Sequence, residues 1–325
     1  MKIMQLYLAH SQTAPPPREG ARTKAQRRET TMKMKQMLAL GAAAMMTVSL
    51  AACGSSSSSA ATGDSSTPAS GSSSTAVTAG KAEEHTVEAI KAKGKLVVTT
   101  EATYPPFEFQ TPDGELTGLD VSLAKALAED LGVELEMQNI TFEMVVSEVQ
   151  AGNADLAIAG LSPTAERKES VDMSDLYYGG IQVMLVREED YDKFATAESL
   201  AGATIATQKG AIQQTLMEQQ FPDAEPLLLP KFPQCIQELK LGNCDAVMID
   251  EESAKNYMKS VEGLVVAQVP VETDPSENGN AIAVMKGNTD LLDWVNEKIA
   301  EYTESGKIQE WYDAATEAAE AAGVL

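Results

Sequence analysis

"LDVSLAKALAEDLGVELEMQ", residues 119–138, decides the fold class. Its opening segment sets Val121, Ala124, Leu127, Ala128 and Leu131 on one helical face and stops at Gly132, a residue type that readily takes the left-handed turn closing a helix. The residues that follow, "VELEMQ" (133–138), alternate apolar with polar, as a half-buried strand does. Ahead of the helix lies a β-rich run, "KLVVTT" (95–100); after the strand come a helical pattern, "FEMVVSEVQAG", and a buried strand, "DLAIAG" (155–160). The order strand, helix, strand, helix, strand predicts a parallel sheet flanked by helices.

The pattern then restarts. "IQVMLVR" (181–187) is a strand, and "ATIATQ" (203–208), "EPLLL" and "DAVMID" (245–250) are strands separated by the helical runs "GAIQQTLMEQQ" and "CIQELKLG". "EESAKNYMKS" adds a helix, "NAIAVMKG" (280–287) one more strand, and two helical segments finish the chain. Two α/β lobes are expected.

The amino-terminal fifth has a different character. Lys33 and Lys35 precede an apolar run that ends in "LAAC", Leu50 to Cys53. A basic head, a short apolar stretch and small residues before a cysteine form a secretory signal, too short and alanine-rich for a permanent span. Residues 1–31, polar and rich in Arg and Pro, sit oddly ahead of such a signal, and a start at Met32 or Met34 would explain them. The Ser-rich stretch from residue 54 to 80 reads as a flexible tether that buries nothing.

Charge narrows the function. Residues 1–52 hold eight Lys or Arg and two Asp or Glu, so the remainder keeps 17 basic against 46 acidic residues, a net charge of about −29. Such a surface repels nucleic acid, which is set aside as a partner. Beyond Cys53 the chain has only Cys235 and Cys244, expected as unpaired buried thiols, and one histidine, His85. That leaves no zinc constellation and no Ser-His or Cys-His nucleophile; neither a metal nor a cofactor is expected.

In open α/β sheets ligands gather beyond the carboxyl ends of the strands. The loops there carry Glu101 with Tyr104, Ser162 with Arg167, Gln208 with Gly210, and Asp250. This convergence is the strongest physical signal in the chain.

"KGKLVVTTEATYPPFEFQTPDGELTGLDVSLAKALAEDLGVELE", "AGNADLAIAGLSPTAERKESVDMSDLYY", "IATQKGAIQQ" and "LGNCDAVMIDEE" resemble, in the right order, the blocks of the amino-acid-binding family of bacterial extracellular solute-binding proteins, the receptors of ABC importers. The resemblance covers roughly residues 93–320. It implies a two-lobed periplasmic-binding-protein-like fold of type II, each lobe a mostly parallel sheet flanked by helices, with the ligand cleft between lobes. Residues 1–53 would be the extension and signal peptide and 54–84 the tether. Lobe 1 would comprise 85–180 plus 281–325 and lobe 2 would comprise 185–276, with hinges about 180–184 and 276–280. "LAAC" resembles the lipobox of bacterial lipoproteins, which makes Cys53 the lipidated residue and implies a lipid anchor on the extracytoplasmic face of the cell membrane.

A free amino acid enclosed between lobes brings a carboxylate and an ammonium, and each needs a counter-charge once buried. By resemblance Arg167 takes the carboxylate, with the Ser162 hydroxyl and the backbone from Gly210 to Ile212 assisting; many relatives have threonine where Ile212 stands. An arginine in "ERKE" is by default a solvated charge, and the strand end before it together with the family blocks argues otherwise. Asp250 is the natural acceptor for the ammonium, opposite the Gly160 carbonyl, although an aspartate there is also an ordinary helix N-cap. Tyr104 and Phe142 match aromatic positions of the family, and Glu101 and Gln208 would set specificity, favouring a polar or basic amino acid. Ser122, where the family usually has an acid, is a departure on the helix. Tyr177 and Tyr178 are expected to pack at the hinge.

The expected function is capture of a free amino acid by hinge closure and its delivery to an ABC permease, not catalysis. Two alternatives are weaker. Some relatives are similar to cyclohexadienyl dehydratases, in which a cleft acid works, and Glu101 is the candidate here. A sensory ectodomain ranks last, because no membrane helix or signalling domain follows Leu325.

Overall fold

The structure, a computed structural model, describes residues 81–324. The extension, the signal peptide, Cys53 and the tether up to residue 80 lie outside the described residues.

The helix that opened the sequence argument runs Leu119–Leu131, and Gly132 closes it in the left-handed conformation, its N–H donating to Ala128 and Glu129 carbonyls. Its buried face carries Val121, Leu123, Ala124, Leu127, Ala128 and Leu131. The strand after it, Glu134–Asn139, pairs in parallel with Lys95–Thr100 from Lys95↔Glu134 to Thr100↔Asn139. Lys95–Thr100 in turn pairs in parallel with Leu156–Ala157, much the shorter partner.

Lobe 1 is completed by one strand that arrives from the other direction and an edge strand that runs with the rest. Ala283–Met285 lies antiparallel to both Leu156–Ala157 and Val171–Met173, so the sheet order is 134–139, 95–100, 156–157, 283–285, 171–173. Lobe 2 repeats the plan: Glu225–Leu229, Thr204–Gln208 and Ala246–Asp250 are parallel, and Gln182–Arg187 lies antiparallel to both Ala246–Asp250 and Leu264–Val266. Each sheet is therefore mixed but mostly parallel, with one strand of its five reversed. The reason is connectivity: a strand entering a lobe from a crossover runs back from the hinge, against those that follow βαβ connections.

The chain passes between lobes twice. Tyr178–Gly179 and Gly279–Asn280 pair antiparallel, Gly279 opposite Gly179. Gly279 has φ +152°, and a Cβ there would stand 2.3 Å from the Tyr178 carbonyl oxygen, so only glycine lets the two crossovers approach this closely.

Three further differences from the sequence reading concern short elements. Residues 81–84, grouped with the tether, are helical and continue into the turn Glu83–His85. His85 Nδ1 lies 2.6 Å from Asp155 Oδ1, and Lys93 Nζ binds the same carboxylate at 2.8 Å, which docks this segment on lobe 1. A small antiparallel sheet, 103–104, 108–110 and 116–117, fills what looked like loop. The run "NAIAVMKG" divides between the crossover pair and Ala283–Met285.

One apolar cluster runs from Leu96, Val98 and Leu127 in lobe 1 through Tyr104 to Phe232, Val247 and Ile249 in lobe 2. Separate clusters fill the outer faces, around Val145 and Val149 in lobe 1 and around Phe194, Ile205 and Met248 in lobe 2. The last two helices, Thr289–Glu304 and Lys307–Ala322, return to lobe 1, where the Tyr302 hydroxyl donates to Asp130 at 2.9 Å. Cys235 and Cys244 are both buried free thiols, and burial pushes each up to about 12.

Candidate functional site

Four strand ends converge between the lobes, and around them lies a cavity with about 390 Å³ of empty space, part of it open to solvent. Lobe 1 lines it with Tyr104, Phe142, Gly160, Ser162 and Arg167; lobe 2 lines it with Gln208, Ile212 and Asp250. Eight of the residues singled out in the sequence thus meet in one place. Glu101 and Gly210 stand just behind them.

Arg167 sits in the short helix Ala165–Ser170, whose N-cap Thr164 accepts from the Arg167 backbone N–H. Its guanidinium donates to the Ser162 carbonyl at 2.8 Å and, across the cleft, to the Gly210 carbonyl at 3.1 Å. The guanidinium carbon lies 5.5 Å from the centre of the Phe142 ring, so an aromatic face supports it. Burial lowers its pKa to about 10, which leaves it cationic at neutral pH. No carboxylate of the described residues forms an ion pair with it: both of its partners are neutral carbonyls, and its charge is left without an anion.

Asp250 ends the strand Ala246–Asp250 and caps the helix Glu251–Ser260. Oδ1 accepts from the Ser253 N–H at 2.9 Å, whereas Oδ2 is buried without a partner. The helix-cap reading of this residue is seen in Oδ1, and Oδ2 is left over. Burial raises the carboxyl to about 6, only partly opposed by the hydrogen bonds from Ser253.

Glu101 is buried at the end of its strand. Its oxygens accept from the Thr103 hydroxyl at 2.9 Å and from the Gln208 amide at 3.2 Å, with Lys231 Nζ 3.9 Å away. Burial raises its pKa, and those two hydrogen bonds and then Lys231 oppose the rise. Gln208 also donates to the Pro230 carbonyl, so its amide joins both lobes. Gly160 takes φ +56°, and a Cβ there would press within 3.2 Å of the Tyr104 ring.

Several lining residues escaped the sequence reading. Phe232 stacks on Tyr104 with centroids 5.0 Å apart, one ring from each lobe. A signal for it existed: Phe142 opens a helix three residues after a strand ends at Asn139, and Phe232 repeats this after Leu229. Gln182 and Gln213 are joined at 2.6 Å, and with Asn280 they give the wall neutral amides. Glu108, buried beside Gly160, also reaches the cavity. Among the described residues no group of His, Cys, Asp or Glu is arranged to hold a metal ion.

Two α/β lobes joined by paired crossovers, with a polar cavity at their strand ends, make a two-lobed periplasmic-binding fold. Residues 96–316 match the family of bacterial extracellular solute-binding proteins, family 3, and the chain belongs to that family. Membership carries an extracytoplasmic location with it. The chain is 33% identical over 219 residues to the arginine-binding extracellular protein ArtP of Bacillus subtilis, covering 67% of this chain and 84% of that one. It is 31% identical over 238 residues to the L-cystine-binding protein TcyJ of Escherichia coli, covering 72% and 88%. Among solved structures it is similar to a substrate-binding protein of an amino acid ABC transporter from Streptococcus pneumoniae bound to L-arginine. There the identity is 39%, the coverage 71% of this chain and 97% of that one, and the TM-score 0.67. An ancestral amino-acid-binding protein described as a precursor of cyclohexadienyl dehydratase is also similar, at 31% identity, 71% and 99% coverage and a TM-score of 0.65. The relatives named here are binding proteins, not enzymes.

Proposed function

We propose that this chain captures a free amino acid with a cationic or polar side chain between its lobes and delivers it to an ABC permease while anchored to the membrane through a lipid on Cys53. One observation carries the reading. A guanidinium with no anion and a carboxylate oxygen with no donor line the same cavity, on opposite lobes. An α-amino acid supplies both missing partners at once.

Binding and closure are coupled by the same groups. The ligand carboxylate would accept paired N–H groups from Arg167, a geometry that a planar guanidinium offers. Its ammonium would reach Asp250 Oδ2, joining lobe 1 to lobe 2 through the ligand. The lobes also hold each other directly: Arg167 to Gly210, Gln208 to Glu101, Lys209 to Glu143 at 2.9 Å, and Tyr104 on Phe232. Ligand contacts add to these and shift the open–closed equilibrium towards closure.

The side-chain preference rests on charge. Arg167 is the one Lys or Arg among the described residues that line the cavity, and the ligand carboxylate occupies it. Apart from Asp250 and Glu108 the remaining wall is uncharged, chiefly aromatic, amide and aliphatic, with Glu101 behind Gln208. A cationic or hydrogen-bonding tip suits that wall; a second carboxylate does not. Relatives described as arginine-binding agree with this. Against a dehydratase-like reaction, the carboxylate of Glu101 is already engaged by Thr103 and Gln208 behind the wall.

The test is calorimetry over the common amino acids with wild type and Arg167→Ala. Removing one partner of a buried charge pair costs about 3 kcal/mol or more, so affinity should fall roughly a hundredfold or beyond while the ligand-free melting temperature holds. Unchanged affinity in that variant would refute the site.

A further inference from the structure

Beneath the cavity two buried carboxyl groups converge on Gly160, and neither forms an ion pair with a cation of the described residues. Glu108, 1% exposed, brings Oε1 to 3.8 Å from where a Gly160 Cβ would stand, and Asp120, fully buried on the helix Leu119–Leu131, holds the Gly160 N–H with Oδ2. Two carboxyl groups buried this close together without a cation do not both ionise, so one holds a proton. Which one holds it follows from the donors around them. Asp120 accepts from the Gly160 N–H at 2.8 Å and from the Tyr177 hydroxyl at 2.8 Å, as an anion should. Glu108 Oε2 is buried and receives no donor. The group surrounded by donors is the carboxylate; the group without them is the acid.

The geometry points to Glu108 as a positioning residue of the binding site: a carboxylic acid that keeps its proton at neutral pH and donates it to Asp120, fixing the Gly160 turn and Tyr177 together. The inference rests on the proposed amino-acid site, because Gly160 lines the cavity where the ammonium would lie and Tyr177 adjoins the crossover strand Tyr178–Gly179. Asp120 thus ties the cavity wall to the hinge, and the Glu108 proton keeps it from facing a second negative charge.

Other charged and titratable groups around the pair agree with this protonation. Asp120 approaches from the helix, Glu101 from the end of the strand Lys95–Thr100, and Tyr177 from the segment before the crossover. All are acids; none of the ion pairs among the described residues includes Glu108 or Asp120. Burial, and after it repulsion from Asp120, hold the Glu108 carboxyl well above the ordinary carboxylate range.

Infrared spectroscopy of the ligand-free protein at about pH 8, where an ordinary carboxyl is ionised, reads the proton directly. Asp250, at about 6, is also ionised there. Wild type should show the carbonyl band of a protonated carboxylic acid, and Glu108→Gln should lack it. The glutamine amide donates the same hydrogen bond without charge, so this variant should keep affinity for the best amino acid within about threefold. Glu108→Leu, which leaves Asp120 short of a donor, should lose roughly tenfold or more. A wild type without the band, a band that survives Glu108→Gln, or a glutamine variant as impaired as Arg167→Ala would overturn the proposal. The band needs no ligand, so it decides the protonation even if no amino acid binds.

Discussion

One oxygen of Asp250 caps a helix and the other has nothing to bind, and the conflict between those roles has a measurable cost. Burial raises its carboxyl from the ordinary range to about 6. A raised folded-state pKa favours folding below the unfolded value of 3.8, and that stability is lost as pH rises through 6. At neutral pH the ligand-free protein therefore carries a strained anion. Asn caps helices as well as Asp does, so Asp250→Asn should stabilise the empty protein at pH 7 by about 1–3 kcal/mol in urea unfolding while abolishing amino-acid binding. In wild type, affinity should hold above pH 7 and fall about tenfold per unit as pH drops below 6, because the ammonium binds only the ionised form. A flat calorimetric profile from pH 5 to 8 would remove Asp250 from the ammonium subsite. At this scale the sequence was informative where residues stood at strand ends: Arg167, Ser162, Gln208 and Asp250 all reach the cavity. It was silent on Gln182, Gln213 and Glu108. Polar residues inside a strand or in the first turn of a helix have no pattern that separates a cavity wall from any other buried face.

Crossover strands show what element patterns convey and what they omit. Hydrophobic periodicity located the long helices and the central strands because each buries one face along its whole length. It could not give the direction of the reversed strands, since 283–285 and 182–187 look the same whichever way they run. Nor could it reveal that "SENGN" and "YGGI" pair with each other, because two residues per strand carry no period. Tyr178 lies on one crossover and stacks on Tyr312 at 4.6 Å. The glycine at 279 makes the pairing possible. Gly279→Ala forces a Cβ against the Tyr178 carbonyl at a φ that alanine rarely adopts, and should destabilise the protein by about 2 kcal/mol or more. Urea denaturation checks this, and a loss under about 0.5 kcal/mol would mean that the crossovers part freely.

At the scale of the whole molecule, an acidic two-lobed domain follows a Ser-rich segment and a cysteine in a lipobox-like setting. If Cys53 bears the anchor, Cys53→Ala should move the protein from the membrane fraction to the soluble one, as immunoblotting of fractionated cells would show; persistent membrane association would exclude that anchor. The two-lobed plan was legible from the restart of the strand–helix alternation near residue 181, whereas closure was not, because it depends on contacts between residues far apart in the chain: Arg167 with Gly210, and Tyr104 with Phe232. Those contacts bring one unmatched positive and one unmatched negative group to a single cavity. The most direct test is to titrate wild-type protein with the amino acid that raises its melting temperature most, and then with the amine left when that amino acid loses its carboxylate. With no anion for Arg167, the amine should bind at least about a hundredfold more weakly. Binding of the amine within tenfold of the parent amino acid would contradict the account.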